Sequence, residues 1–463
     1  MPNLSRRHFF YGSLLAGAVP AAGYGSTASL KQLGYKSPNE RLNIAGIGAG
    51  GKGASDLNGC STENIVALAD PDSKKAEATF KKYEKAVKYT DFRKMLDKEE
   101  KNIDAVVVST PDHMHAMATM WAMERGKHVY CQKPLTRTIW EARQLRDAAA
   151  KYKVATQMGN QGYSNEGTRQ CAEIVWSGDI GDVTEVHAWT NRPIWPQGLE
   201  EQPKPEPVPS TMEWDTWLGV AAERPYSPAY APFNWRGFFD FGCGALGDMA
   251  CHILGAPNMA LMLGAPTSVE AIKQEGKSSF QFPKKSIIRF DFPARANMPA
   301  VKIFWYDGMG GPPTPRPAGI DASEKLGDLP RELRPGQQPP RVPADANGSL
   351  FLGSKGALTT GTYGEGTRLL PESKMTDYKM PPAFLTRSPG HYRDWIRAAK
   401  GGDPACSNFN IAAPFTEWIL LGVIALRYEG KIEWDSANMR ITNNKEANSL
   451  IQPKYRKGWK LNS

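Results

Sequence analysis

The sequence lacks the features that mark nucleic-acid-binding and membrane proteins. Its 463 residues carry a formal net charge of +9, yet the lysines and arginines are scattered and form no basic stripe interleaved with aromatic residues. That pattern argues against nucleic acid as a partner. The one candidate membrane segment, Phe9 to Ala22, is too short to span a bilayer and is broken by Gly12, Gly17 and Pro20. We therefore expect no stable membrane anchor.

Cysteine is scarce, and its spacing is typical of neither bridges nor metal sites. No CxxC pair and no framework spacing occurs among Cys60, Cys131, Cys171, Cys243, Cys251 and Cys406. This favours buried free thiols and predicts no metal site. In an oxidising compartment, a bridge between Cys243 and Cys251 remains an alternative. The sequence also shows no internal repeat and no low-complexity tract.

The N-terminus has the pattern of an export signal. The letters SRRHFF at positions 5–10 precede a weakly apolar stretch and then small residues, as in Tat signals, which carry folded proteins. We predict a periplasmic protein, with residues 1–34 as signal and linker and with cleavage between Ala18 and Ala28. The alternative is a basic tail that leads into an ordinary helix.

The stretch from Arg41 to Asp72 reads as strand, tight turn and helix. Its apolar start breaks into a Gly-x-Gly-x-x-Gly turn formed by Gly46, Gly48 and Gly51. In dinucleotide-binding proteins the first glycine makes the turn, the second lets backbone approach a pyrophosphate, and the third lets helix pack closely on strand. The phosphates sit at the helix N-terminus. A strand-to-helix turn without a ligand is the alternative.

A carboxylate downstream of the glycine turn bears on the choice of nucleotide. A second apolar run, Ile65 to Ala69, ends at Asp70, which has about the spacing expected for a carboxylate that holds the ribose hydroxyls. Such a carboxylate favours NAD over NADP. An exported enzyme has to bind its nucleotide in the cytosol, so the Tat pattern and a tightly held NAD support each other.

The alternation of strand and helix predicts the fold class. Continuous apolar runs such as Ala105 to Ser109 are typical of parallel strands buried on both faces. We predict an α/β protein whose residues 35–158 form a Rossmann domain with a doubly wound parallel sheet. Residues 159–463 are expected to form a C-terminal α+β domain with a large, mainly antiparallel open sheet. The Pro- and Gly-rich segment 308–348 and the Pro-rich stretch 192–231 are expected to be long loops. The helix that follows the strand ending at Ser109 is expected to begin at His115.

Polar residues follow two of the predicted parallel strands, where ligands gather in doubly wound sheets. Thr110, Pro111 and His115 follow the strand that ends at Ser109, and the Thr110 hydroxyl could meet the cofactor. Gln132 and Lys133 follow the next strand, closest to the expected nicotinamide, and Lys133 could help move a proton. A capped turn and a surface lysine are the alternatives.

A third group of polar residues lies on a predicted helix. Asp248 and His252 are four residues apart, so their side chains leave the same face and can meet one substrate group. An imidazole can take a hydroxyl proton while hydride leaves the same carbon, and a carboxylate can orient it. A metal pair is an alternative, although two ligands are too few. A helix with no ligand is another. Candidate sugar-binding residues are Asn160, Trp195, Trp235 and Arg236.

At these motifs the chain resembles the glucose-fructose oxidoreductase and inositol dehydrogenase family, Gfo/Idh/MocA. The resemblance covers nearly everything from Arg41 to the C-terminus. It rests on the glycine turn and on the segments Thr110-Pro111-x-His113-x-His115, Gln132-Lys133-Pro134 and Gly247-Asp248-x-x-x-His252.

The resemblance implies a catalytic set of Lys133, Asp248 and His252, with Lys133 and His252 handling the proton. It also implies assembly through the C-terminal sheet into a homodimer or homotetramer. The sequence departs from the family at Gln132, where glutamate is common, so a carboxylate beside the lysine is missing.

The sequence therefore predicts a periplasmic NAD-dependent oxidoreductase that acts on a sugar, glycoside or polyol hydroxyl. One alternative is an NAD-dependent glycoside hydrolase that works by transient oxidation, elimination and re-reduction. A second is a non-catalytic sugar-binding protein in which NAD is structural.

Overall fold

The computed structural model describes residues 40–309, 311, 314–329, 346–428 and 430–461. The predicted export signal and its cleavage region lie outside these residues, as does much of the segment 308–348. Within the described part of the chain, no helix is both long enough and apolar enough to cross a bilayer.

The N-terminal sheet has six parallel strands in the order β3-β2-β1-β4-β5-β6. The order reverses between β1 and β4, which is where ligands bind in doubly wound folds. The Rossmann prediction is confirmed. The strands are β1 Asn43–Ile47, β2 Asn64–Ala69, β3 Val87–Tyr89, β4 Ala105–Val108, β5 His128–Cys131 and β6 Thr156–Met158. The helices are α1 Lys52–Gly59, α2 Ser73–Lys82, α3 Phe92–Glu99, α4 Asp112–Glu124 and α5 Ile139–Tyr152.

Two features of this sheet differ from the sequence prediction. The edge strand β3 was not predicted, because it has only three residues and its Val87 is 45% exposed, so it shows no apolar run. Helix α4 begins at Asp112 rather than at His115. The polar segment after β4 therefore forms the first turn of a helix, directly at the carboxyl edge of the sheet.

The second sheet has nine strands in the order β13-β12-β11-β7-β10-β9-β8-β14-β15. Its strands are β7 Val183–Trp189, β8 Ser268–Glu275, β9 Lys285–Phe292, β10 Val301–Gly308, β11 Gly348–Gly353, β12 Gly356–Thr360, β13 Arg368–Leu370, β14 Lys431–Asp435 and β15 Arg440–Ile441. Among the described strands of this second sheet, only β7 and β10 pair in parallel, so the prediction of a mainly antiparallel sheet is confirmed.

Helices cover one face of this second sheet. Trp418 packs edge-on against Phe290 and Phe292 of β9, with ring centroids 5.1 and 5.4 Å apart. The short helix α7 lies within a Pro-rich stretch that was predicted as a loop. The helices of this part are α6 Glu166–Ser177, α7 Trp214–Leu218, α8 Gly244–Ile253, α9 Gly255–Ala260, α10 His391–Ala399, α11 Phe409–Ala425 and α12 Lys445–Asn448.

Helix α10 packs on the N-terminal sheet although it lies far along the chain. Its Trp395 is fully buried in one cluster with Ile44, Leu57 and Tyr130. The Tyr130 hydroxyl lies 3.0 Å from the ring Nε2 of His391, at the start of the same helix. Residues from both sides of the predicted domain boundary at residue 158 therefore pack in one buried cluster.

Candidate functional site

A cavity of about 510 Å³ lies at the carboxyl edge of the N-terminal sheet, beside helix α8. It brings together three groups of residues that the sequence placed far apart. Its lining includes these predicted residues: Gly48, Gly51, Asp70, Thr110, Pro111, His115, Gln132, Lys133, Trp235, Arg236, Asp248 and His252.

The glycine turn has the conformation that only glycine adopts easily. Gly48 has φ +81°, and a Cβ atom there would lie 2.6 Å from the carbonyl oxygen of Ser109; Gly51 has φ +55°. Gly51 does not make the close packing of helix on strand that we predicted for it. A Cβ on Gly53 would lie 1.8 Å from the Gly48 carbonyl oxygen, and one on Gly46 would lie 3.0 Å from the Leu57 side chain. The packing roles therefore belong to Gly46 and Gly53.

Gly48→Ala is expected to weaken NAD binding at least tenfold and to destabilise the fold by more than Gly126→Ala does. Gly126 also has a positive φ, +70°, but a Cβ atom there would meet nothing within 4 Å. Both variants carry a strain of about 1–2 kcal/mol from the left-handed backbone, and only Gly48→Ala adds a backbone overlap. Denaturant unfolding and NAD calorimetry measure the two effects. Equal losses in both variants would contradict the close-approach argument.

Asp70 connects the end of β2 to the glycine turn. One carboxylate oxygen accepts hydrogen bonds from the backbone N–H groups of Ala49 and Gly50, at 2.8 and 3.0 Å, and the other accepts one from Asp72, at 2.9 Å. Burial raises the pKa of Asp70 to about 6, against the opposing effect of these hydrogen bonds. The oxygen that accepts from Asp72 can accept a further bond. The group therefore fits the predicted ribose contact.

Thr110 and His115 form the wall between the ends of β4 and β5. The His115 ring nitrogens lie 2.7 Å from the carbonyl oxygen of Pro134 and 2.9 Å from that of Thr110. Burial lowers the pKa of His115 to about 4. The Thr110 hydroxyl is buried and has no hydrogen-bond partner among the described residues. This orphaned hydroxyl on the cavity wall fits the predicted cofactor contact.

Lys133, Asp248 and His252 meet on the cavity wall opposite the glycine turn. The Lys133 ammonium donates to the Asp248 carboxylate at 2.8 Å and to its backbone carbonyl at 2.7 Å. Burial raises the pKa of Asp248, but the charges of Lys133 and Arg236 outweigh it and hold that pKa well below its usual range. Asp248 is therefore an anion that fixes the lysine.

His252 lies one turn after Asp248 on α8. Its ring packs edge-on against Tyr363, with centroids 4.9 Å apart, and its Nδ1 atom has no hydrogen-bond partner in the described part of the chain. Burial, and then the charge of Lys133, holds the pKa of His252 well below its usual range. A neutral imidazole with a free nitrogen can accept a proton.

The Gln132 side chain is held by a carboxylate from helix α1. The Gln132 amide donates at 2.9 Å to the fully buried carboxylate of Asp56. Asp56 also accepts bonds from Ser109, at 2.8 Å, from Tyr392, at 2.8 Å, and from Lys52. Sequence reasoning missed Asp56, because its spacing from Lys52 indicates only an ordinary ion pair on a helix surface.

The predicted sugar-binding residues divide into two groups. Trp235 and Arg236 line the cavity, with the guanidinium 4.2 Å from the Trp235 ring centroid. Trp195 is buried behind them, 5.8 Å from that guanidinium, and donates its indole N–H to Gln197. Asn160 is fully buried and accepts a bond from the Ser407 hydroxyl. Neither Trp195 nor Asn160 is part of the cavity lining.

Other cavity residues were not predicted from the sequence. They include Arg192, Phe233 and Tyr363, which come from loops without periodicity, and Asp112, in the first turn of α4. Burial raises the pKa of Asp112 to about 7.

The metal and disulfide alternatives find no support in the described part of the chain. No group of three or more His, Cys, Asp or Glu side chains there could hold a metal ion. Asp248 is surrounded by cationic side chains, which oppose a metal ion beside it. Cys243 and Cys251 are free and buried, and the other cysteines are also free.

Two curated relatives match parts of the chain. An inositol 2-dehydrogenase from Salmonella paratyphi B is 29% identical over 147 residues, which is 30% of this chain and 43% of the relative. A glycosyl hydrolase family 109 protein from Solibacter usitatus is 29% identical over 213 residues, which is 42% of this chain and 47% of the relative. The chain thus spans less than half the length of these relatives.

The fold also occurs among solved structures. The WlbA dehydrogenase from Bordetella pertussis, in complex with NADH and UDP-GlcNAcA, superposes with a TM-score of 0.57 at 14% identity. The match covers 86% of this chain and 99% of that one. At this identity the likeness shows the fold alone.

Two family models match the two parts of the chain. Residues 42–160 match the oxidoreductase family with an NAD-binding Rossmann fold, and residues 179–277 match the C-terminal alpha/beta domain of the oxidoreductase family. The first match contains the glycine turn and Lys133, and the second contains Asp248 and His252. Both models are those of the Gfo/Idh/MocA oxidoreductase family, which these two regions of the chain match.

Proposed function

We propose that the protein oxidises a hydroxyl-bearing carbon of a sugar, glycoside or polyol with NAD as the hydride acceptor. The observation that carries this proposal is that one cavity joins the glycine turn to Lys133, Asp248 and His252. Two further observations support it. The matched family is one of NAD-binding oxidoreductases, and one relative is named as an inositol dehydrogenase.

The two ends of the cavity have different roles: one binds the nucleotide, and the other holds the side chains that act on the substrate hydroxyl. NAD, when bound, supplies the site that accepts the hydride. Gly48 and Gly51 line the cavity, where their backbone can contact the diphosphate of NAD, and Asp70 and Thr110 offer the polar partners for the rest of the nucleotide. Asp70 would repel a phosphate on the ribose, which favours NAD over NADP.

The proton of the substrate hydroxyl leaves through side chains at the other end of the cavity. The O–H bond of the substrate hydroxyl breaks while the carbon that bears this hydroxyl loses hydride, so the alcohol becomes a ketone. The free nitrogen of neutral His252 takes the proton, and the Lys133 ammonium stabilises the negative charge that develops on the oxygen. Asp248 positions the lysine through its 2.8 Å ion pair.

The nucleotide content and substrate reduction test this function together. We expect protein purified without added nucleotide, or with NAD added afterwards, to release NAD(H) on denaturation. A panel of glycosides, free sugars and polyols should then include one that reduces the bound cofactor. Protein that neither retains nor binds NAD would refute the proposal.

A second candidate function has one specific observation in its favour, the match to a glycosyl hydrolase family 109 protein. In that case the transient ketone acidifies the adjacent proton, elimination cleaves the glycosidic bond, and the cofactor restores the alcohol. Product analysis separates the two. Net hydrolysis of a glycoside with no external acceptor would favour the hydrolase.

We also propose export to the periplasm by the Tat pathway and assembly through the second sheet. The twin arginines Arg6 and Arg7 support the first, and the partly exposed alternate residues of β9 and β10 support the second. Cell fractionation of the protein with both arginines replaced by lysine tests export, and light scattering of the purified protein tests for a homodimer or homotetramer.

A further inference from the structure

The sugar end of the cavity holds more positive than negative charge. Three cationic side chains surround one carboxylate, Asp248: Lys133 at 2.8 Å, Arg236 at 3.5 Å and Arg192 at 3.6 Å. All three cations are largely buried, with side chains 13–27% exposed. Cations removed from water cost free energy unless anions balance them.

The other acidic group at this end does not restore the balance. Burial raises the pKa of Asp112 to about 7, and even when it is ionised two carboxylates face three cations. Its carboxylate oxygen accepts the backbone N–H of Cys243 at 3.1 Å. The glycine-turn end of the cavity has its own cations, Lys52 and Lys75, so a diphosphate there does not require the arginines.

The two arginines have unused hydrogen-bonding capacity. Their contacts with Asp248, at 3.5 and 3.6 Å, are ion pairs too long to be good hydrogen bonds. Among the described residues, their side chains make one hydrogen bond, from Arg236 to the carbonyl oxygen of Phe233. Each guanidinium has five N–H donors in a planar fork that matches a carboxylate or phosphate. The Nε atom of Arg192 is buried and has no hydrogen-bond partner in the described part of the chain.

We propose that the substrate is an anionic carbohydrate whose carboxylate or phosphate binds between Arg192 and Arg236, and this inference rests on the proposed function. Phe233 and Trp235 also line the cavity, and the Arg236 guanidinium lies over both rings, 4.8 and 4.2 Å from their centroids, which holds it in place. The anion anchors the sugar ring, and the sugar ring then presents a hydroxyl to Lys133 and His252. This arrangement selects acidic sugars over neutral ones.

Matched pairs of substrates test the inference with NAD-loaded protein. The pairs are methyl glucuronoside with methyl glucoside, and methyl galacturonoside with methyl galactoside; glucose 6-phosphate is compared with glucose. We expect one acidic member to have a kcat/KM at least tenfold above that of its neutral partner. A preference confined to the phosphate arm would identify phosphate as the anion, and one confined to the uronoside arms would identify carboxylate.

The variants Arg192→Gln and Arg236→Gln test the anchor itself. Each should raise KM for the acidic sugar by about tenfold to a hundredfold, the usual effect of losing a charged hydrogen bond, and change kcat less. Arg192→Lys and Arg236→Lys keep the charge and should raise KM for the acidic sugar less. Arg440→Gln, with its side chain 62% exposed at the far edge of the second sheet, is the matched control and should change nothing.

The failure of this inference is distinguishable from the failure of the proposed function. Calorimetry of the same compounds with NADH-loaded protein reports anion preference even when no compound is oxidised. Neutral sugars that are bound or oxidised as well as acidic ones overturn the inference and leave the oxidoreductase intact. Acidic sugars that bind through the arginines but never reduce NAD overturn the proposed function and leave the anion site.

Discussion

Lys133→Met is expected to lower kcat by about 10²- to 10³-fold, the range typical for loss of one donor that stabilises a developing oxyanion, while NAD stays bound. The ammonium is the cation in hydrogen-bonding contact with Asp248, and it lies on the same cavity wall as His252. Asp248 keeps Arg192 and Arg236 as partners in the variant, so the carboxylate does not become an unpaired buried charge. Steady-state kinetics with the best sugar from the panel measures the effect.

Two comparisons give this prediction its controls. Lys98→Met, on the exposed face of α3, should leave kcat unchanged. His252→Ala should lower kcat by a similar factor, because the free imidazole nitrogen is the proposed proton acceptor. Full turnover in Lys133→Met and His252→Ala would contradict the mechanism and support a non-catalytic protein with structural NAD.

Gln132→Glu is expected to destabilise the fold by about 3–5 kcal/mol, the usual cost of an uncompensated buried charge. The substitution places a second carboxylate where the Gln132 amide now donates to Asp56 at 2.9 Å, and both side chains are buried. Asp56→Asn is also expected to destabilise, because Lys52 and Tyr392 lose a charged acceptor.

The double variant Gln132→Glu with Asp56→Asn restores one carboxylate and one amide in exchanged positions. We expect it to recover most of the stability lost by Gln132→Glu alone, because the stability changes of substitutions at two hydrogen-bonded residues are not additive. Guanidinium unfolding of the wild type, both single variants and the double variant completes the cycle. Losses that simply add would show that the two side chains do not share one charge.

The parts of the fold that the sequence predicts are those encoded locally. The parallel strands are continuous apolar runs, and the glycine turn lies within six residues, so period and spacing suffice. Strand β3 was not predicted because it is an edge strand of three partly exposed residues, so its sequence shows no hydrophobic pattern. Helix α7 was not predicted because it has only five residues and lies in a Pro-rich stretch.

The same distinction applies to the site. Lys133, Asp248 and His252 belong to short motifs, so their joint role can be predicted before the structure. Arg192 and Asp56 cannot be found this way, because each acquires its role only through a partner more than fifty residues away. Aromatic residues near a site are ambiguous for another reason: burial alone does not distinguish packing behind the wall, as for Trp195, from lining it.

The position of α10 in the chain affects synthesis on the ribosome. The last strand of the first sheet ends at Met158, but the helix that covers its buried cluster ends at Ala399. At a synthesis rate of about 5–20 residues per second, the nascent nucleotide domain waits on the order of 10–50 s for this helix. During that interval the surface that later receives Trp395 is uncovered, so the N-terminal domain completes its native packing only late in synthesis.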